Sequence, residues 1–300
     1  MLHAPLSRAQ SLLAAGGMCA VSLVFLLFIA SPVQAALGMT GLLLTELGLL
    51  ALALGGAKLL GEPLRTVFPL ARPRLRPTAG AVVLWLGIYA PVLLVAILMQ
   101  LLLPQHTAEV STSITGLIST VPLWLRFLIV AVSPAICEEA VYRGFILHHL
   151  GVLPPWARVL LCGALFGVFH LDVTRFGSTA LLGVALSWAA VCTGNLFYPA
   201  LIHLCNNSVS VLATVALEMA AEAAPEAVAT GAEAAAAVTP ATLGVYFLLC
   251  APSPWLLWAG TALLQTGAPR RPGRAKRACL CLVLTLALLA AGFALILSQG

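Results

Sequence analysis

The chain reads as an all-α protein, a polytopic membrane helix bundle of about eight to nine transmembrane helices, and three observations lead there. Only 8% of its 300 residues are charged and 61% are hydrophobic, for a mean hydropathy of +1.06. A soluble globular chain carries about 25% charged residues, so this one cannot cover a water-facing surface, and a soluble enzyme of two ordinary domains is excluded. The apolar residues also come in long unbroken runs rich in Leu, Ala and Val. A membrane barrel would instead alternate polar and apolar residues in pieces of about ten. Finally, the runs approach or reach the roughly 20 residues a helix needs to cross hydrocarbon.

Nine stretches qualify as spans: 11–30, 37–60, 79–103, 121–150, 158–173, 177–194, 196–217, 241–264 and 279–298. The first is followed by Ser31-Pro32-Val33-Gln34-Ala35, which also resembles a signal-peptide cleavage site. Its apolar run is longer than the roughly 7–15 residues of a signal-peptide core, so it is read as an uncleaved helix. The second carries one charge in its apolar body, Glu46, near its outer end. The fourth is long and holds polar residues, and the fifth and sixth are short.

Orientation follows from Lys and Arg in short loops. Loop 61–78 holds Arg65, Arg72, Arg74 and Arg76; loop 265–278 holds Arg270, Arg271, Arg274, Lys276 and Arg277. Loop 104–120 has neither Lys nor Arg, and 218–240 carries Glu218, Glu222, Glu226 and Glu233 with no basic residue. With nine helices the basic loops lie inside, the acidic ones outside, and the N-terminus with Arg8 is cytoplasmic. Arg126 and Arg175 are then the basic residues on the outer side. The expected location is the cell membrane, multi-pass.

By organisation, 1–120 holds about three N-terminal helices and 121–217 a polar-bearing core. An acidic, Ala-rich outer loop at 218–240 reads as spacer, and 241–300 supplies two more helices. The eight cysteines show no disulfide or zinc-finger spacing. His3, His148 and His149 read as interfacial, and no nucleic-acid partner is expected.

Once the loop charges are set aside, Glu46, Glu138, Glu139 and Arg143 remain in the spans. An ionisable group at mid-membrane costs at least about 2.5–3.5 kcal/mol on insertion scales, which makes it a functional candidate by default. Glu46 alone is explained by a protonated or boundary-level carboxyl. Residues 137–145 are different. Glu139 and Arg143, four apart, share a helix face and can pair. Glu138 is turned about 100° away from Glu139 by helix geometry, so one carboxylate is tied down while the other stays available. That division suits a general base beside a structural ion pair. Phe166-Gly-Val-Phe-His170 and His203-Leu-Cys-Asn206-Asn207 place further polar groups in two other spans. Burying each separately would need its own compensation, so the three clusters are expected to converge.

Glu138-Glu139-x-x-x-Arg143, Phe166-x-x-x-His170 and His203-x-x-x-Asn207 resemble, in order and separation, the three motifs of the CPBP intramembrane proteases. That family comprises the type II CAAX prenyl endopeptidases and the bacterial proteins of bacteriocin processing and self-immunity. The resemblance makes 121–217 a catalytic intramembrane protease core. It implies Glu138 as the base that activates water, with His170 helping to hold that water. His203 and Asn207 would donate to the tetrahedral oxyanion, and Glu139 and Arg143 would fix the geometry. Zinc is left open: Glu138, His170 and His203 would form the usual three-ligand catalytic set, yet there is no H-E-x-x-H, and a metal-free glutamate protease is preferred. Thirteen Arg against two Lys point to a GC-rich bacterial genome. The implied partners are therefore the lipid bilayer and a membrane-associated peptide or protein substrate rather than a prenylated one. Two rivals stay open, a non-proteolytic scaffold or regulator and an ion- or proton-coupled transporter. The span limits also leave Glu138 and His170 at poorly matched depths.

Overall fold

A computed structural model describes residues 6–224, 238–265 and 273–298. Every regular element among them is helical. His3, Glu226, Glu233, Arg270 and Arg271 lie outside the described residues.

Ten helices build the described part of the chain, with one further turn at Leu64–Val67. Helix α1 (Arg8–Leu37) starts with a reciprocal cap between Ser7 and Gln10 and contains a wider π-turn at Leu26–Ala30. Gly38, at φ 55°, turns the chain into α2 (Met39–Leu59), a reversal that an L side chain resists. Helix α3 (Leu75–Leu102) carries Pro91. Residues 104–120, predicted as an outer loop, instead form α4 (Pro104–Ile118), with Pro104 in its first turn.

Helix α5 (residues 123–152) alternates α-helical stretches with π-turns at Phe127–Val132 and Ala140–Ile146. It is followed by α6 (Pro155–Phe169), α7 (Val173–Thr193) and α8 (Phe197–Ala223). Helix α9 (Pro240–Leu264), capped by Thr239, breaks at Ala251–Pro252, and α10 is Arg274–Leu297.

Among the described residues, seven helices (α1, α2, α3, α7, α8, α9 and α10) are long and apolar enough to span a bilayer, so the chain is a multi-pass membrane protein. The other two predicted spans differ for physical reasons. Helix α6 has 15 residues, about 22 Å at 1.5 Å per residue, short of the roughly 30 Å hydrocarbon layer. Helix α5 is interrupted by its π-turns and carries the charged triplet.

Helix α5 sits at the centre. Helices α1 and α2 pack on one side of it and α8 on another, while α6 and α7 form a tight pair beside it. The shared core includes Leu49, Val141, Tyr142, Ile146, Phe166, Leu186 and Ile202. Helix α3 packs against α7, α8 and α9, and α10 covers α9.

The α6–α7 pair is close because its contact is made of small residues, as membrane helix interfaces generally are. A Cβ on Gly163 would lie 2.7 Å from the Val184 backbone nitrogen, and one on Gly167 2.8 Å from the Phe176 carbonyl oxygen.

Candidate active site

The three polar clusters converge, as their scarcity predicts. Glu139, 1% exposed, is the hub. Its Oε1 accepts from Arg143 Nη1 at 2.9 Å and from His203 Nδ1 at 2.8 Å, joining α5 to α8. Arg143 Nη2 also donates to the Gly183 carbonyl at 3.0 Å, tying in α7 at the point where it packs on Gly163 of α6. The Glu139–Arg143 pair survives the π-turn that begins at Ala140.

Phe166 explains the aromatic member of its motif. Buried on α6, it takes the Arg143 guanidinium over its ring at 4.3 Å, a cation–π contact that is strengthened by desolvation. His170 and His203 meet the same ring edge-on at 4.9 and 5.8 Å between centroids. One phenyl ring therefore sets the spacing of both histidines and the arginine.

Glu138, 8% exposed, stands apart from that brace. Its Oε2 is 3.8 Å from His203 Nε2, and that oxygen has no hydrogen-bond partner among the described residues. It faces a cavity of about 460 Å³, on whose wall His170, His203 and Asn207 also lie. Glu139 and Arg143 are not on that wall. The division between a tied and an available carboxylate, read from helix geometry, is the arrangement found.

Both histidines are oriented from behind. His203 Nδ1 gives its hydrogen to Glu139, and His170 Nδ1 donates to the Phe166 carbonyl at 2.9 Å. In each ring Nε2 is the remaining nitrogen. Asn207 is fixed by Nδ2 donating to the Val130 carbonyl at 3.0 Å and by Oδ1 accepting from Asn206 at 3.2 Å. Its amide keeps a second N–H.

Helix α6 ends with His170 as its C-cap, and His170 lines the same cavity as Glu138, although the predicted span limits set the two at different depths. Leu171 then adopts φ 52°, a left-handed conformation unfavourable for a branched side chain. Such outliers concentrate at functional sites. Asp172 caps α7, accepting from the Thr174 N–H and hydroxyl at 2.8 and 2.7 Å, with His106 Nε2 at 3.5 Å. Partial burial pushes the Asp172 carboxyl up, but the Thr174 bonds outweigh it and hold the group below its ordinary value.

Two charged wall residues were not assigned to the site from sequence. Glu46, 3% exposed on α2, lines the same cavity, and its Oε2 has no partner among the described residues. Its charge was the signal, but 92 residues separate it from Glu138 and no spacing rule links them. Arg175 lines the cavity from the first turn of α7, although its sequence position marks only an outer boundary. For zinc, no three His, Cys, Asp or Glu side chains among the described residues gather closely enough to hold an ion. Glu138, His170 and His203 therefore do not make a ligand set in this arrangement.

Residues 120–209 match the family model described as type II CAAX prenyl endopeptidase Rce1-like. No curated protein and no solved structure matches the chain. The matched segment runs from just before α5 into α8 and contains all seven motif residues. The match covers 90 of the 300 residues, and over that segment the chain is similar to the CPBP family of intramembrane proteases.

Proposed function

We propose that this protein is an intramembrane endopeptidase that hydrolyses a peptide bond of a membrane-associated peptide or protein, with Glu138 activating the attacking water. One observation carries the reading. Glu138, His170, His203 and Asn207 share the wall of one cavity, while Glu139 and Arg143 brace it from behind.

Glu138 Oε2 and His203 Nε2, at 3.8 Å, are too far apart for a direct hydrogen bond. They are close enough for one water to contact both. Glu138 takes that water's proton as the hydroxide attacks the carbonyl carbon, and returns it to the leaving amine. The remaining Asn207 N–H serves the oxyanion without any change of protonation. His203 Nε2 serves it only when the ring carries both protons, because Nδ1–H is already given to Glu139. No serine or cysteine nucleophile is needed, and no step runs through a metal.

The test is to purify wild type, Glu138→Ala and Glu138→Gln in detergent and present a peptide library. Wild type cleaves, and both variants lose about 10²–10⁴-fold in kcat with unchanged thermal unfolding. If wild type cleaves nothing and only ion flux responds to the substitutions, the transporter rival replaces this reading. One zinc per chain in protein purified without chelator, lost together with activity on chelation, would overturn the metal-free form of the mechanism.

A further inference from the structure

The hydrolytic set leaves two charged cavity groups unused, Glu46 and Arg175. Of the residues on the wall, Arg175 is the one with a permanent positive charge. Its guanidinium has no hydrogen bond or ion pair among the described residues. Asp172 and Glu138 act on it only electrostatically, at a distance. Asp172 is already engaged by Thr174 and faces His106, and Glu138 faces His203. Arg175 is therefore a half-buried cation with no ion-pair contact among the described residues, on the wall that holds the proposed base.

Its position in the chain makes this placement costly. Arg175 is in the first turn of α7, a helix of 21 residues, where the macrodipole already presents positive charge and a basic side chain is disfavoured. Helix N-termini bind anions for the same reason, and a guanidinium there adds a planar fork that matches a carboxylate. The cavity, at about 460 Å³, is in the size range of small-ligand sites and has room for a short stretch of chain.

We propose that Arg175 receives a carboxylate carried by the bound peptide and so fixes which peptide bond is set before Glu138. This rests on the proteolytic reading above and names its specificity. Arg175 is then a positioning and specificity residue, not a catalytic one. The carboxylate is either the C-terminal one or that of an Asp or Glu side chain. A lipid phosphate would satisfy the same charge, but a headgroup lies outside the bundle, whereas Arg175 shares its cavity with Glu138, His170 and His203.

The test measures binding separately from cleavage. Apolar fluorescent peptides are made in three forms: free C-terminus without acidic residues, amidated with one Glu, and amidated without acidic residues. Each is titrated in neutral detergent against full-length Glu138→Gln and against Glu138→Gln/Arg175→Gln. At least one carboxylate-bearing form binds about ten-fold or more tightly than the neutral form, a difference of about 1.4 kcal/mol, and which form does so identifies the source. Arg175→Gln abolishes the preference, and Arg175→Lys keeps part of it. In the cleaving enzyme the same loss falls on KM more than on kcat. Equal affinity for all forms, no binding of any, or a preference that survives Arg175→Gln overturns the proposal. So does loss of co-purified phosphatidylglycerol in Arg175→Gln without a peptide preference, which assigns the arginine to lipid. If the preference is found but wild type cleaves no peptide, the proteolytic reading fails while the carboxylate site stands.

Discussion

At the scale of single residues, two neighbouring carboxylates do different jobs because the helix turns by about 100° per residue. Glu139 faces Arg143 and His203, while Glu138 faces the cavity. The two should therefore fail differently. Glu139→Ala strands Arg143, 3% exposed, without its ion-pair partner, and breaking a buried pair from one side costs about 3–5 kcal/mol. Its thermal unfolding in detergent should shift down strongly, and cleavage should fall with it. Replacing both partners, Glu139→Leu with Arg143→Leu, should recover much of the unfolding temperature and none of the cleavage. Recovery of both would mean that the ion pair does not orient His203. Glu138 substitutions carry the opposite signature, activity lost with the unfolding temperature kept.

At the scale of elements, α6 and α7 bring His170 and Arg175 to one cavity wall and pack closely behind it. The turn between them combines the left-handed Leu171 with the Asp172 cap. Losing such a cap costs about 1 kcal/mol, so Asp172→Ala should lower stability by about that much near neutral pH. The pH dependence has a definite sign. The Asp172 carboxyl is held below its ordinary value in the folded protein. Its contribution is therefore complete above the unfolded carboxyl's pKa and is lost as pH falls through the lower folded one. The gap in unfolding temperature between wild type and Asp172→Ala should be constant from neutral down to mildly acidic pH and close below the ordinary carboxylate range. A gap that widens in acid would contradict the assigned bonding.

At the scale of the whole molecule, contacts between distant segments sort into two groups that agree with the topology read from charge. Arg126 pairs with Glu218 at 2.6 Å, both assigned outside, and His106 of the loop assigned outside approaches Asp172, which was placed at the end of the fifth span. Glu62 lies 3.2 Å from His149 and 3.7 Å from His148, and Asn195 bonds the Ala71 backbone, all on the other side. These contacts fix which segments share a side; the excess of Lys and Arg supplies the absolute direction. Truncations fused to a phosphatase that works only outside the cytoplasm should be active after Thr120 and Ala224 and silent after Ala71 and Asn195. The reverse pattern would invert the molecule. Most of this was legible in sequence because apolar runs and stranded charges are strong signals in a chain so poor in polar groups. Helix α4 was not, since Thr107, Ser111, Thr112 and Ser113 look like loop and form a helix with polar side chains. Glu46 and Arg175 were not assigned to the site either, because their relation to Glu138 exists only once α2, α5 and α7 are packed.

The two π-turns that flank Glu138 and Glu139 have a consequence for how this chain tolerates changes in length. A π-turn holds one residue more than the α-helical ladder requires. A single-residue deletion within 127–129 or 144–146, clear of the Val130 carbonyl and of Arg143, can therefore be absorbed by tightening that turn, with both flanks keeping their partners. The same deletion between 133 and 139 has no slack to draw on, and would rotate the two carboxylates relative to everything they touch. Helix α5 is thus written with spare letters on either side of a word that allows none.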